Sequence, residues 1–176
     1  MTDDLARLIR TIPDHPRPGI QFRDISTLLQ DGSGFARTIE KMAAQVVTLP
    51  HAIAAIEARG FLFGAALARE LGCGLVLLRK RNKLPGRVIG INYALEYGED
   101  RLEVQADAIT PGTSILLVDD LIATGGTALA GVDLLRSAGA HVSQACFVID
   151  LSDLQGATRL RTANVAVSAL IAFPGH

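Results

Sequence analysis

The chain has 176 residues, 49% of them hydrophobic and 20% charged, which suffices for one domain with a real core and is too short to expect two. A formal net charge of -1 gives no electrostatic case for nucleic acid or an anionic membrane as the main partner. Cys73 and Cys146 lie in apolar surroundings without Cys-x-x-Cys spacing, so buried free thiols are expected rather than a disulfide framework. The four histidines show no metal-ligand spacing. Met1-Thr2-Asp3-Asp4 is an acidic start, and no apolar run reaches the roughly 18 residues of a membrane span. A cytoplasmic protein is the expectation.

In chain order, residues 3–10 read as a short helix that ends before Pro13, Pro16 and Pro18, which stiffen the following loop. Phe35, Ile39, Met42 and Val46 recur at helical spacing after Ser33, predicting a long amphipathic helix. Strand and helix then alternate. Residues 52–56 read as a strand, 61–71 as a helix closed by Gly72, and 75–78 as the next strand. Two more polar, turn-rich strands between Val88 and Gln105 predict a hairpin or mobile flap. The pattern resumes with a strand over 114–118, a helix from about Thr127 to Ser137 stopped by Gly139, and a strand over 144–149. Residues 164–176 are apolar enough to pack but carry no readable chemistry. Repeated strand, loop and helix units argue a parallel sheet with helices on both faces, whose carboxyl-end loops build the site.

The most informative segment is 114–128, SILLVDDLIATGGTA. A strand runs into two adjacent acids, a short apolar step, and then Thr124, Gly125, Gly126 and Thr127 opening a helix. The glycines let the backbone approach an anion, hydroxyl and free N–H groups donate to it, and the helix dipole favours its charge. Asp119 and Asp120 can accept hydrogen bonds from vicinal hydroxyls. Phosphate on one side and a diol on the other describe a ribose 5-phosphate. The segment lacks both the Walker spacing and Gly-x-Gly-x-x-Gly, so the two common nucleotide motifs are excluded here.

Residues 118–127, VDDLIATGGT, resemble the phosphoribosyl-diphosphate signature of the type I phosphoribosyltransferases. Four other blocks resemble the adenine-using members of that family: PGIQFRDI from Pro18, EARGFLFG from Glu57, RKRNKLPG from Arg79 and YALEYG from Tyr93. The likeness spans nearly the whole chain in the right order. It implies the α/β type I phosphoribosyltransferase fold, a mostly parallel twisted sheet flanked by helices. One domain would cover 1–176, with 1–32 as a base-binding N-terminal hood and 84–106 as a flexible flap.

The implied reaction forms AMP and diphosphate from adenine and phosphoribosyl diphosphate, with Mg2+ held mainly by the substrate diphosphate and water, in a homodimer. The resemblance gives the 5-phosphate to Ala123, Thr124, Gly125, Gly126 and Thr127, and the diphosphate to Arg59, Arg79, Lys80 and Lys83, one of these cations reaching into the neighbouring subunit's site. Asp119 and Asp120 would hold the 2- and 3-hydroxyls and stabilise an oxocarbenium-like state, which glycosyl transfer generally passes through. Phe22 and Leu121 would sandwich the purine while the main-chain groups of Gln21 and Arg23 read its edge. Glu96 would act as general base or proton partner at the imidazole edge, and Tyr97 as part of the lid. Two alternatives stay open: a transferase for xanthine, guanine or orotate, and a non-catalytic sensor of phosphoribosyl diphosphate. A sensor would be expected to carry an added DNA-binding segment and to lack a suitable Glu96.

Overall fold

The computed structural model describes residues 3–94 and 98–175. The chain begins with a short helix α1 (Asp3–Ala6) and strands β1 (Arg10–Ile12) and β2 (Phe22–Asp24), which pair antiparallel as a separate two-stranded sheet. The predicted first helix is therefore shorter than expected. Arg10 lies in β1, where its guanidinium binds the Asp24 carboxylate across the ladder, and a cross-strand ion pair outweighs the weak preference of one helical turn. Helices α2 (Ser26–Gln30) and α3 (Gly32–Ala44) follow. Asp31 caps α3 by accepting from the Gly34 N–H at 2.6 Å, which satisfies one of the open donors of its first turn.

The main sheet holds seven strands, made from β3 (Ala52–Ile56), β4 (Gly74–Lys80), β5 (Val88–Ala94), β6 (Glu99–Gln105), β7 (Ser114–Ile122), β8 (His141–Leu151) and β9 (Ala166–Phe173), in the order β5-β6-β4-β3-β7-β8-β9. From β4 to β9 the pairing is parallel, whereas β5 and β6 form an antiparallel hairpin on one edge. The central β3, AIAAI, is buried at every position, as expected for a parallel strand covered on both faces. α4 (Gly60–Leu71) connects β3 to β4 and ends at Gly72, whose φ of +67° suits glycine. α5 (Gly126–Ser137) connects β7 to β8, and α6 (Gly156–Thr162) connects β8 to β9.

Two buried clusters flank the sheet. One packs Leu28, Met42, Phe63 and Leu67 against Ile53, Leu116 and Val148. On the other face, Val132, Leu134 and Leu160 pack against Ile56, Leu117 and Phe147. α3 and α4 thus cover one face and α5 and α6 the other. Cys146 is buried and Cys73 half-buried, both as free thiols. No helix among the described residues is long and apolar enough to cross a membrane.

Candidate active site

The loops after β3 and β7 open into a cleft of about 260 Å³, lined by Glu57 to Arg59, Lys80 and the run from Asp119 to Ala128. Its floor depends on close backbone approach. A Cβ on Gly60 would lie 2.7 Å from Asp119 Oδ1 and 3.1 Å from the Val118 carbonyl oxygen, so only glycine lets α4 begin this close to β7. Gly125 has a φ of +79° and starts α5 with no side chain in the way. Gly125 accepts the Leu129 N–H at 2.8 Å, while the N–H groups of the first turn have no partner within the helix. Ala123, Thr124, Gly125, Gly126 and Thr127 all line it.

The strand β7 runs four residues beyond its predicted end, and both acids lie within it. Their neighbours in β8 keep the ladder going, with Asp119 opposite Phe147 and Leu121 opposite Ile149. Burial drives the Asp119 carboxyl well above its ordinary range, and the negative charge of Asp120 beside it pushes the same way. Burial raises Asp120 as well, against the pull of Arg59. Arg59 Nε lies 2.9 Å from Asp120 Oδ2, yet the angle is not that of a hydrogen bond, and this buried oxygen has no hydrogen-bond partner. Asp119 Oδ1 accepts the Asp120 N–H at 2.8 Å, and both acids line the cleft.

Of the expected diphosphate cations, Arg59 and Lys80 line the cleft, whereas Arg79 and Lys83 lie outside its lining. Arg79 makes a two-pronged contact with Glu57, Nη2 to Oε1 at 3.0 Å and Nε to Oε2 at 3.2 Å. Burial disfavours the Glu57 charge, but the donors from Arg79 and the Lys80 N–H outweigh it and hold the carboxyl below its usual range. Lys80 faces the cleft with its ammonium bound to Asp100 and the Tyr93 hydroxyl. These partners hold its pKa up although burial works to lower it. The Lys83 side chain is exposed, and its carbonyl accepts Arg79 Nη1 at 3.0 Å. Glu57, Tyr93 and Asp100 carried no assigned role in the sequence; the hydroxyl of Tyr93 also sits 3.5 Å from Thr127 Oγ1, tying the β5–β6 hairpin to the phosphate loop.

A second cavity of about 790 Å³ shares Ala123, Thr124, Gly126 and Thr127 with the cleft and extends beneath the N-terminal segment to Ile20 and Gln21. Phe22 is half-buried, edge-on to His15 at 5.0 Å, with the Arg59 guanidinium 5.5 Å from its ring centroid. Leu121 is half-buried against the cluster under α3 and α4. The Arg23 side chain turns away from the cavity, donating to Thr11 Oγ1 at 2.6 Å and lying 4.4 Å over the Phe173 ring. Arg23 lines neither the cleft nor the second cavity. Glu96 and Tyr97 lie outside the described residues. Among the described residues no cluster of three His, Cys, Asp or Glu side chains could hold a metal ion.

With this geometry in hand, comparison with known proteins is informative. Residues 26–168 match the phosphoribosyl transferase domain. The adenine phosphoribosyltransferase of Novosphingobium aromaticivorans is 57% identical over 176 residues, 99% of each chain. The crystal structure of adenine phosphoribosyltransferase from Thermoanaerobacter pseudethanolicus superimposes with a TM-score of 0.93 at 42% identity, covering 98% of this chain and 100% of that one. The Saccharomyces cerevisiae enzyme, crystallised with an imino-altritol bisphosphate and adenine, gives 0.87 at 35% identity over 97% and 98% of the two chains. The chain belongs to the phosphoribosyltransferase family and, within it, to the adenine phosphoribosyltransferases.

Proposed function

We propose that the chain transfers the phosphoribosyl group of phosphoribosyl diphosphate to adenine, releasing diphosphate and forming AMP in purine salvage. The observation that carries this reading is the cleft itself, in which paired acids share one cavity with a glycine-threonine loop at a helix start. The N–H and hydroxyl donors of Ala123 to Thr127 bind the 5-phosphate, and Asp119 and Asp120 accept from the ribose 2- and 3-hydroxyls. As the bond from the anomeric carbon to diphosphate lengthens, positive charge develops on the ribose, and the two carboxylates stabilise it. Two buried acids that repel one another gain most when a cationic centre approaches, which concentrates their effect at the transition state.

Arg59, Arg79, Lys80 and Lys83 take up the charge released on the diphosphate. Magnesium bound to the diphosphate would further neutralise the leaving group, and the Asp119 and Asp120 carboxylates would accept from its bound waters. Phe22 and Leu121 hold the purine faces. A main-chain carbonyl and N–H from Gln21 and Arg23 match the amine and N1 of adenine, whereas hypoxanthine reverses both polarities and leaves buried groups unpaired. Glu96 accepts or shares the imidazole proton as the new bond forms, and Tyr97 helps exclude water that would hydrolyse the intermediate cation.

A homodimer is supported by an apolar surface on the edge of this site. Leu75 and Leu77 point outward from one face of β4 with 39% and 37% exposure, and Leu62 on α4 is 46% exposed. Arg79 continues the same alternating face, so a second copy covering these leucines would bring its own surface to the diphosphate wall. The deciding experiment offers adenine, hypoxanthine, guanine, xanthine and orotate in parallel with phosphoribosyl diphosphate and magnesium. AMP from adenine alone is expected; turnover of another base would overturn the reading by Gln21 and Arg23, and binding without product would favour the sensor.

A further inference from the structure

The phosphate loop is braced from outside by a segment that gave no signal in the sequence, the start of α6. Gly156 sits against the loop so closely that an added Cβ would lie 2.2 Å from the Ala123 carbonyl oxygen and 2.7 Å from Gly125 N. The reverse also holds: a Cβ on Gly125 would lie 2.9 Å from both Gly156 Cα and its carbonyl oxygen. Across this contact the Gly156 N–H donates to the Ala123 carbonyl at 3.0 Å. One turn later, Arg159 Nη1 donates to the Thr124 carbonyl at 2.7 Å. Two consecutive loop carbonyls are therefore both claimed by α6.

In a trans peptide the C=O of one residue and the N–H of the next point in opposite directions. The peptide bonds after Ala123 and Thr124 are trans, since the cis bonds among the described residues lie elsewhere. Fixing those carbonyls toward α6 therefore turns the N–H groups of Thr124 and Gly125 the other way, to the cleft that both residues line. We propose that Gly156 and Arg159 are positioning residues that hold the N–H groups of the phosphate loop toward the substrate's 5-phosphate, so that α6 is the outer half of that site. A donor on each carbonyl also polarises its peptide and strengthens the opposing N–H as a donor. The proposal rests on assigning the loop to the 5-phosphate.

The test uses three full-length variants and one probe, ribose 5-phosphate, which carries the 5-phosphate without the diphosphate. Arg159→Met removes the donor while keeping the length of the side chain. It should weaken ribose 5-phosphate binding about threefold to tenfold, the loss of one charge-assisted hydrogen bond. The KM for phosphoribosyl diphosphate should rise with it, and by more than the KM for adenine, since Arg159 also lines the cavity that reaches Gln21. Arg159→Lys, which keeps a cationic donor, should recover most of the affinity. Gly156→Ala should weaken ribose 5-phosphate binding more than Arg159→Met, and its folding is checked by circular dichroism. Folded Arg159→Met protein that binds ribose 5-phosphate as the wild type does would overturn the proposal. So would an equal rise in both KM values, which marks a general loosening. Failure of the wild type itself to bind ribose 5-phosphate would instead sink the loop assignment, and this inference with it.

Discussion

The two walls of the cleft would bind anions by different means. On the β7–α5 wall the donors are backbone N–H groups and threonine hydroxyls, and no carboxylate among the described residues pairs with them. On the β3–β4 wall the donors are side-chain cations beside acids: Arg59 next to Asp120, Arg79 on Glu57 and Lys80 on Asp100. A wall made of peptide dipoles is ready for its phosphate as it stands. A wall made of paired cations must exchange partners when the diphosphate arrives and regain the old ones when it leaves. The contrast suits the chemistry, since the 5-phosphate stays attached to substrate and product whereas the diphosphate is cut free.

The comparison can be broken most severely at the acids between the walls. Changing both Asp119 and Asp120 to Asn should cut turnover about a hundredfold or more, the scale of removing preorganised electrostatic stabilisation. The same change should raise the melting temperature at neutral pH, because two carboxyls whose charged form burial disfavours are removed. The sign follows from linkage. A folded-state pKa above the unfolded value means that stability falls as pH rises from about 3.8 through the raised folded pKa, and the penalty is fully present above it. A neutral-pH melt with no gain, or unimpaired turnover, would show that the pair is ordinary strand chemistry.

A smaller effect is expected at Gly60→Ala. Its Cβ must displace either the Asp119 carboxylate or the backbone of β7, and overpacking of this kind costs roughly 1–3 kcal/mol. Thermal melting should show the loss, together with weaker substrate binding. In the single variant Asp120→Asn, the neighbouring charge that pushes Asp119 upward is gone. The acid limb of kcat/KM should then move to lower pH than in the wild type, and an unmoved limb would assign that limb to another group. Glu57→Gln sharpens the contrast between the walls. If Glu57 competes with the anion for Arg79, diphosphate should bind about threefold to tenfold more tightly. Weaker binding would mean that Glu57 aims Arg79 rather than occupying it.

The smallest effect should come from Asp24. Hydrogen bonds from Ser26, with help from Arg10, hold its carboxyl down at about 2. A depressed pKa contributes stability that is present above the unfolded value of about 3.8 and is lost as pH falls toward 2. Asp24→Asn should therefore lower the melting temperature slightly at neutral pH and no longer do so near pH 2.

The form of the β7–α5 wall was legible in the sequence because it lies in backbone geometry, and glycine, threonine and a strand-to-helix transition announce that geometry locally. Strand β3 was read to the residue for a similar reason, its burial on both faces leaving an unbroken apolar run. The cation wall was legible only as a set of charges. That Arg79 faces Glu57 depends on pairing β4 with β3, and that Lys80 faces Asp100 on pairing β4 with the β5–β6 hairpin, neither of which a local pattern encodes. The end of β7 was missed because two acids look like a strand terminus, whereas β8 carries the ladder past them. α6 and β9 were missed because seven residues beginning with glycine and a strand reading AVSALIAF have weak periodicity, and packing on β8 decides them. With α6 went Arg159, a single basic residue whose meaning lies in a carbonyl 35 positions earlier.

The clamp on Arg23 links positions far apart along the chain. Its guanidinium rests on Phe173 and reaches the Pro174 carbonyl, 151 residues later. A ribosome makes these positions in order, at about 5–20 residues per second. Strand β2, proposed to read adenine, is therefore without its clamp for roughly eight to thirty seconds of synthesis, although the loop after β7 and both acids are made earlier. A message cut short before codon 173 would yield a chain with most of its sheet and all of the loop proposed to bind phosphate, but with β2 lacking the Phe173 and Pro174 contacts of Arg23. Such a product would be expected to hold ribose 5-phosphate better than it distinguishes one purine from another.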